Sequence, residues 1–241
     1  GAGTERSEEV LCKLFPHARV ARADSDSMTR KESYHRVLGD FRTGKIDILV
    51  GTQMIAKGLH FPNVTLVGVV NADVALHRPD FRAGERTFQL LTQVSGRAGR
   101  GDVVGEVIVQ TYTPFHPAVQ AARTMNYEGF CDEELEFRRE LGYPPFRHMI
   151  CLSIKGPKER QVVELGSKLQ RALVRRCGSF ADLSDLVPAP IARVKGDYRY
   201  QVLIQTGSVT GFHRAARPVL AAFRWPRGMS FALDVDPISI L

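Results

Sequence analysis

The sequence contains no run of about 18 consecutive apolar residues, so nothing in it reads as a bilayer-spanning helix. Its first residues, "GAGTERSEEV", are too polar and acidic for a signal peptide, and a cytoplasmic protein without membrane contact is expected. Cysteine is sparse: Cys12, Cys131, Cys151 and Cys177 include no C-x-x-C pair, which excludes a paired-thiol zinc framework and leaves no obvious disulfide scaffold. Reduced, partly buried thiols are the expected state. No internal repeat or low-complexity tract occurs. There is also no complete G-x-x-x-x-G-K-[ST] loop to cradle phosphates, because the one Gly-Lys pair, Gly44-Lys45, is followed by Ile46 where Ser or Thr is required.

What is present is an ordinary globular balance: 241 residues, 44% hydrophobic and 24% charged, enough for one large domain or two of ordinary size. The net charge of +7 is unevenly spread. Residues 1–145 carry 18 Lys and Arg against 19 Asp and Glu, while residues 146–241 carry 15 against 7, a net +8. A basic module attached to a neutral one points to a polyanionic partner, most often nucleic acid. A basic surface kept for solubility is the plainer alternative.

Up to residue 112, short β-branched runs alternate with helical stretches, the pattern of a parallel sheet flanked by helices. Thr4 reads as the cap of a helix through "ERSEEVLCKLF", with Glu5 in its first turn. Strands are expected at 18–24, 47–52, 64–73 and 105–112, those at 47–52 and 64–73 buried, with helices over 29–44 and 84–99. In such sheets functional residues sit at the carboxyl ends of strands. That rule singles out "GTQMIAKGLHFP" and "VNADVALHRPDFR". Two surface helices follow, the second with pairings such as Glu134 with Arg138. "GYPPF" (142–146) is a stiff connector at a domain boundary, since residues preceding prolines leave helical conformation. The expected division is a first domain at 1–112, a helical linker at 113–146 and a basic α+β domain at 147–241. In the last, strand, helix, a hairpin turning near "KGD", a second helix interrupted by Pro218 and a final strand give the β-α-β-β-α-β order of a ferredoxin-like fold.

The chemistry concentrates in "QVSGRAGRGD". Gln93 precedes two arginines, Arg97 and Arg100, set among Gly96, Ala98 and Gly99. An arginine keeps its charge and offers a planar fork of donors, while the small neighbours let another body approach closely. Such an arginine suits the charge on a transferring γ-phosphoryl group, the task of an arginine finger. The plainer account is a helix end where Gly99 caps and the arginines complement the dipole. "GTQMIAKGLHFP" adds a Gly-Thr at a strand end, with exposed N–H groups and a hydroxyl for phosphate oxygens, and Lys57-Gly58, a cation beside open backbone.

"GAGTE", "DILVGTQMIAKGLHFPNVTLVGVVNAD", "PDFRAGERTFQLLTQVSGRAGRG", "VIVQTYTPFHP" and "YPPF" together resemble the PriA family of primosomal replication-restart DNA helicases of bacteria. The resemblance spans nearly the whole chain, is dense through 47–114 and thins across 157–241. It implies that 1–112 is the second RecA-like lobe of a superfamily 2 helicase, with "GTQMIAKG" and "QVSGRAGR" as its fifth and sixth motifs. By matching positions, Gln93, Arg97 and Arg100 face the nucleotide phosphates, Arg100 as the arginine finger, and Gly58 lies near the nucleotide. Thr52, Gln53 and Lys57 belong to the DNA track. His60 stands where the wider superfamily often has an acidic residue, so a sugar contact there is not carried over.

The same resemblance implies ATP and Mg²⁺ held mainly by another lobe, zinc bound by cysteine pairs upstream of "GAGTE", and partners among DNA, primosome proteins and single-stranded-DNA-binding proteins in a nucleoid-associated setting. With no phosphate loop and no Mg²⁺-binding acidic pair, since "DEEL" (132–135) lies in a helical surface stretch, the chain reads as the C-terminal fragment of a longer enzyme, inactive alone. In its basic domain, Lys195, Arg199 and Tyr200, with Arg193 nearby, suit phosphate contact plus base stacking. Tyrosines that merely cover the sheet are the alternative. "RALVRR" (171–176) fits a basic helix end as well as a DNA contact, and Asp234 with Asp236 reads as structural rather than metal-binding. A non-catalytic nucleic-acid-binding scaffold and a related fork-remodelling translocase remain as alternative functions.

Overall fold

The structure, a computed structural model, describes residues 2–24, 31–52, 55, 63–96 and 105–240, with backbone only for residues 2 and 31–33. The chain divides into two compact units, Gly1–Leu76 with Gly84–Tyr127, and His77–Ala83 with Glu128–Leu241.

In the first unit the strands are β1 (Val20–Ala23), β2 (Ile48–Gly51), β3 (Leu66–Val69) and β4 (Glu106–Val109). They pair in parallel, β1 with β2 and β3 with β4. Helices α1 (Ala2–Leu14), α2 (Lys31–Arg42), the single turn α3 (Asp73–Leu76) and α4 (Ala83–Ser95) connect them, and α5 (Pro117–Thr124) follows β4. Arg19 donates from Nε (2.9 Å) and Nη2 (2.7 Å) to the Asp47 carboxylate, tying together the chain entering both members of the first pair. These bonds hold Asp47 well below the usual carboxylate range.

Two expectations are corrected in this unit. Thr4 does not cap a helix: α1 already runs at Ala2, and the Thr4 hydroxyl donates to the buried Asp24 carboxylate behind β1. A side chain committed to that long-range bond is not available to the first turn. Nor are the strands fully buried: the residues of β2 are half-buried or exposed, and Leu66 and Ile108 are 57% and 54% exposed on one face of the second pair. Strand 64–73 also ends early, because Asp73 enters α3.

The second unit is built on α6 (Tyr127–Glu140), β5 (His148–Gly156), α7 (Glu159–Cys177), β6 (Ala181–Leu183), β7 (Val187–Val194), β8 (Asp197–Thr206), α8 (Val209–Ala222) and β9 (Ser230–Val235). Its sheet is antiparallel: β5 lies between β8 and β9, and β8 carries β6 and β7 on its other side. That is the ferredoxin-like strand order, with β6 as an addition. Alternation sends Ile150, Leu152 and Ile154 toward the helices. On α7 the buried positions Val162, Gly166, Leu169, Leu173 and Cys177 recur at helical spacing and meet them. Gly166 is required there, since a Cβ would stand 2.7 Å from Leu186 Cδ2 and 3.2 Å from Ile154 Cδ1.

Pro218 does not interrupt α8, as the sequence suggested, but lies inside it. The carbonyl that loses its helical partner to the missing N–H is that of Arg214, and both residues are exposed. Ser208 caps this helix, its Oγ accepting from Gly211 N at 3.1 Å. The four cysteines are free, Cys151 and Cys177 buried, and burial pushes both of those thiols up. No helix among the described residues is long and apolar enough to cross a membrane.

Candidate functional site

The sites are built on the two units separately. In the first, the carboxyl end of β2 is Gly51, after which Thr52 is exposed and its carbonyl accepts from Ile55 N at 3.1 Å. The turn is so tight that a Cβ on Gly51 would meet Ala23 O at 2.4 Å and Ile55 Cδ1 at 2.1 Å. Glycine is therefore dictated at this strand end, and the chain folding back over it leaves the Thr52 hydroxyl outside. Gln53, Lys57, Gly58 and His60 lie outside the described residues.

Helix α4 buries Phe88, Leu91 and Val94, and the intervening Gln93 is exposed on the opposite face near the carboxyl end. The turn closes with Gly96 N donating to Thr92 O at 3.0 Å. An amide held on a fixed helix offers both a donor and an acceptor to whatever lies beyond. Arg97 and Arg100 follow outside the described residues.

The second strand pair carries a carboxylate at its carboxyl end, but that group is already engaged. Asp73, 5% exposed, accepts from Thr111 Oγ1 (2.9 Å), Thr113 Oγ1 (2.8 Å) and Tyr112 N (3.0 Å). Thr111 and Thr113 both turn inward to reach it, so Tyr112 between them points outward and is 88% exposed. Asp73 anchors the loop after β4; with three donors on its oxygens it is not disposed to hold a cation. Among the described residues no cluster of three or more His, Cys, Asp or Glu side chains is grouped as a metal site.

In the second unit β7 and β8 form a hairpin whose two-residue turn, Lys195-Gly196, has φ of +50° and +92°. Positive φ at both turn positions matches the right-handed twist of the flanking strands and places Lys195 exposed at the tip. Arg199 stands directly opposite Lys155 of β5, on the sheet face turned away from the helices. Like charges facing across a ladder repel, and a phosphate between them would remove that repulsion. Lys155 escaped the sequence reading because nothing local links it to a residue 44 positions later; only strand register does.

Tyr200 faces the other way. Its ring packs against the core, and its hydroxyl donates to Glu159 Oε1 at 2.9 Å, a bond that raises its pKa above the ordinary phenol value. This geometry is that of a covering residue. Arg193 lies 4.9 Å from the centroid of the Tyr198 ring. Asp236, at φ +48°, accepts from Met149 N (3.0 Å) and pairs with His148 Nδ1 (2.7 Å), which fixes the end of β9 to the start of β5.

Compared with known proteins, the chain matches the Helicase conserved C-terminal domain over residues 2–102 and the Primosomal protein N C-terminal domain over residues 139–238. It is similar to the replication restart protein PriA of Bacillus subtilis, 43% identical over 244 residues covering 100% of this chain and 30% of the relative. The corresponding proteins of Synechocystis and Treponema pallidum are each 42% identical over 241 residues, covering 100% of this chain and 29% and 36% of the relative. The chain thus spans about a third of the length of the curated relatives it matches. The first unit, with its parallel strand pairs, is the RecA-like helicase domain, and the antiparallel sheet lies within the second matched region. With relatives aligned over its whole length and both domain matches in place, the chain belongs to the replication restart protein PriA family.

Proposed function

We propose that this chain is the C-terminal part of an ATP-dependent DNA helicase that moves 3′ to 5′ and acts in replication restart at stalled forks. The observation that carries the reading is the placement of two motif residues on fixed supports: Gln93 exposed on the outer face of α4 and Thr52 exposed where β2 ends. Arg100 is the arginine finger in this reading, and Arg97 and Gln93 assist it at the nucleotide with Gly58. Thr52, Gln53 and Lys57 track the DNA backbone.

ATP and Mg²⁺ are held mainly by a lobe other than this one. The engagement of Asp73 by three donors supports that division, and the neutral donors of Thr52 and Gln93 suit phosphate oxygens rather than a cation. Bound ATP supplies the phosphoryl group whose transfer releases the free energy; this chain's arginines steady the charge that develops there. Zinc belongs to another part of the whole protein.

The second unit binds DNA through Lys195, Arg199 and the newly placed Lys155, with Tyr200 held behind them by Glu159. Its charge and the repelling Lys155–Arg199 pair support that role. Forked or single-stranded DNA, primosome proteins and single-stranded-DNA-binding proteins are the proposed partners. A non-catalytic scaffold has no use for an arginine presented to a transferring phosphate.

The test is Arg100→Ala in the full-length protein. DNA-stimulated ATP hydrolysis is expected to fall by roughly a thousandfold while DNA affinity stays within about twofold. Near-normal turnover would refute the finger role, and a wild-type protein without DNA-stimulated hydrolysis would favour the scaffold.

A further inference from the structure

We infer that the outer side of the α7–α8 layer is a second DNA-binding surface of the second unit, one that takes the phosphate backbone of duplex DNA. It goes beyond the sheet-face contact proposed above and lies on the opposite side of the same sheet.

The basic charge of this domain is not where the sheet is. Residues 158–178 and 209–229, which are α7 and α8 with their flanking turns, carry ten Lys and Arg against two Glu, a net +8. The rest of 146–241 carries five against five. The whole excess therefore belongs to the helical layer. Both of its acids are engaged: Glu159 accepts from the Tyr200 hydroxyl at 2.9 Å, and Glu164 accepts from Lys168 Nζ at 2.8 Å. Among the described residues, Arg171, Arg175, Arg214, Arg217, Arg224 and Arg227 make no ion pair.

Helical spacing turns these charges outward together. On α7, Glu164, Lys168, Arg171 and Arg175 recur at four, three and four residues and are exposed, opposite the buried row that begins at Val162. On α8, Arg214 and Arg217 are exposed opposite the buried Phe212 and Ala216, and the helix contains no acidic residue. Both buried rows enter one core and the two helices touch, so the outer rows run side by side. Axes of packed helices lie about 8–10 Å apart, within the roughly 6–12 Å that separates the phosphate rows across the grooves of B-DNA. From Arg160 to Arg175 the row on α7 extends about 22 Å, roughly two-thirds of a duplex turn.

The helix dipole favours cations in the last turn, which accounts for Arg175 but not for Arg171, Arg214 or Arg217 inside their helices. Sites for single strands add aromatic platforms to their cations. Here α7 has no Phe, Tyr or Trp, and the one on α8, Phe212, is buried. Charge without rings suits a duplex, whose bases stay stacked and whose backbone alone is gripped.

The experiment measures binding of the 241-residue chain, by fluorescence anisotropy across a salt series, to a labelled duplex of about 20 base pairs and to single-stranded oligo-dT of equal length. Two triple variants remove equal charge from opposite sides: Arg171→Gln, Arg214→Gln and Arg217→Gln on the helices, and Lys155→Gln, Lys195→Gln and Arg199→Gln on the sheet and its hairpin. Glutamine is a good helix former and the three helix positions are exposed, so the fold is expected to persist. The helix triple is expected to weaken duplex binding at least tenfold and to flatten the slope of log affinity against log salt by about 3, with oligo-dT affinity within about threefold of wild type. The sheet triple is expected to keep duplex affinity within about threefold. Equal losses of duplex affinity in the two triples would reduce the effect to net charge and overturn the inference. So would equal losses for duplex and oligo-dT in the helix triple, wild-type duplex affinity in that variant, or a wild-type chain that does not bind duplex. Retained oligo-dT binding by the sheet triple counts against the sheet-face contact proposed above and leaves the helical surface standing.

Discussion

The two units treat their sheets differently. In the first, strands of four residues pair two by two, and one face of β3 and β4 leaves Leu66 and Ile108 more than half exposed. In the second, a nine-residue strand, β5, lies between two partners, and Leu152, Ile154, Val162, Leu169, Val202 and Ile204 are fully buried. The first unit presents Thr52 where β2 ends and Gln93 on the outer face of α4, whereas the second spends its apolar residues on a core and offers a charged surface. The tightly packed core and the exposed motif residues thus fall in different units, so mutations are expected to fall into two classes.

Three changes probe that division, beginning with the largest. Ile154→Ala removes a fully buried side chain between the sheet and α7, and a loss of about 2–5 kcal/mol is expected, read as a fall in the urea midpoint followed by circular dichroism. A loss under about 1 kcal/mol would mean that the second unit's core collapses readily around the cavity and the contrast between the units is weaker than drawn. Gly51→Ala sets a methyl against Ala23 O and Ile55, and a cost of about 1–3 kcal/mol is expected, read as a fall in the melting temperature. An unchanged melting temperature would show that the β2 loop yields, removing the rigidity attributed to that site.

The smallest effect is at Asp236. Burial raises its pKa, but the bonds from His148 and Met149 N, with the charges of His148 and Arg82, more than offset this and leave the carboxyl below its ordinary value. A depressed carboxylate contributes stability that is present above the unfolded pKa and is lost as pH falls through the folded one. Asp236→Asn is therefore expected to cost about 1 kcal/mol at pH 7, discounted for a side chain 41% exposed, and progressively less on acidification below the carboxylate range. A pH-independent difference would locate the effect in backbone geometry at φ +48° instead of in the charge.

Much of this organisation could be read from the sequence because it is local. The alternation before residue 112 and the "KGD" turn are short-range signals, and the parallel pairs and the β7–β8 turn follow them. The Glu134–Arg138 pairing is one helical turn long and is present at 2.8 Å. What escaped depends on residues brought together from far apart. Nothing near Thr4 signals Asp24, nothing near Asp73 signals Thr111 and Thr113, and nothing in "PDFR" indicates that it packs with residues 128–241. Pro218 misled for the opposite reason: a local rule about proline inside helices was overridden at an exposed position of a helix whose other face is packed on the core. The nucleotide-facing reading of Arg97 and Arg100 rests on sequence alone.

The Lys195-Gly196 turn also works as a selector. Side chains on β8 alternate, so Arg199 and Tyr200 take opposite faces, and which of the two meets the core is set by how many residues the turn contains. One residue inserted there, with β8 slipping to match, would exchange them: the tyrosine would look outward and the arginine would be driven against the core. Because the same slip would turn Val202 and Ile204 out of the core, the two-residue length of the turn is held by the whole of β8.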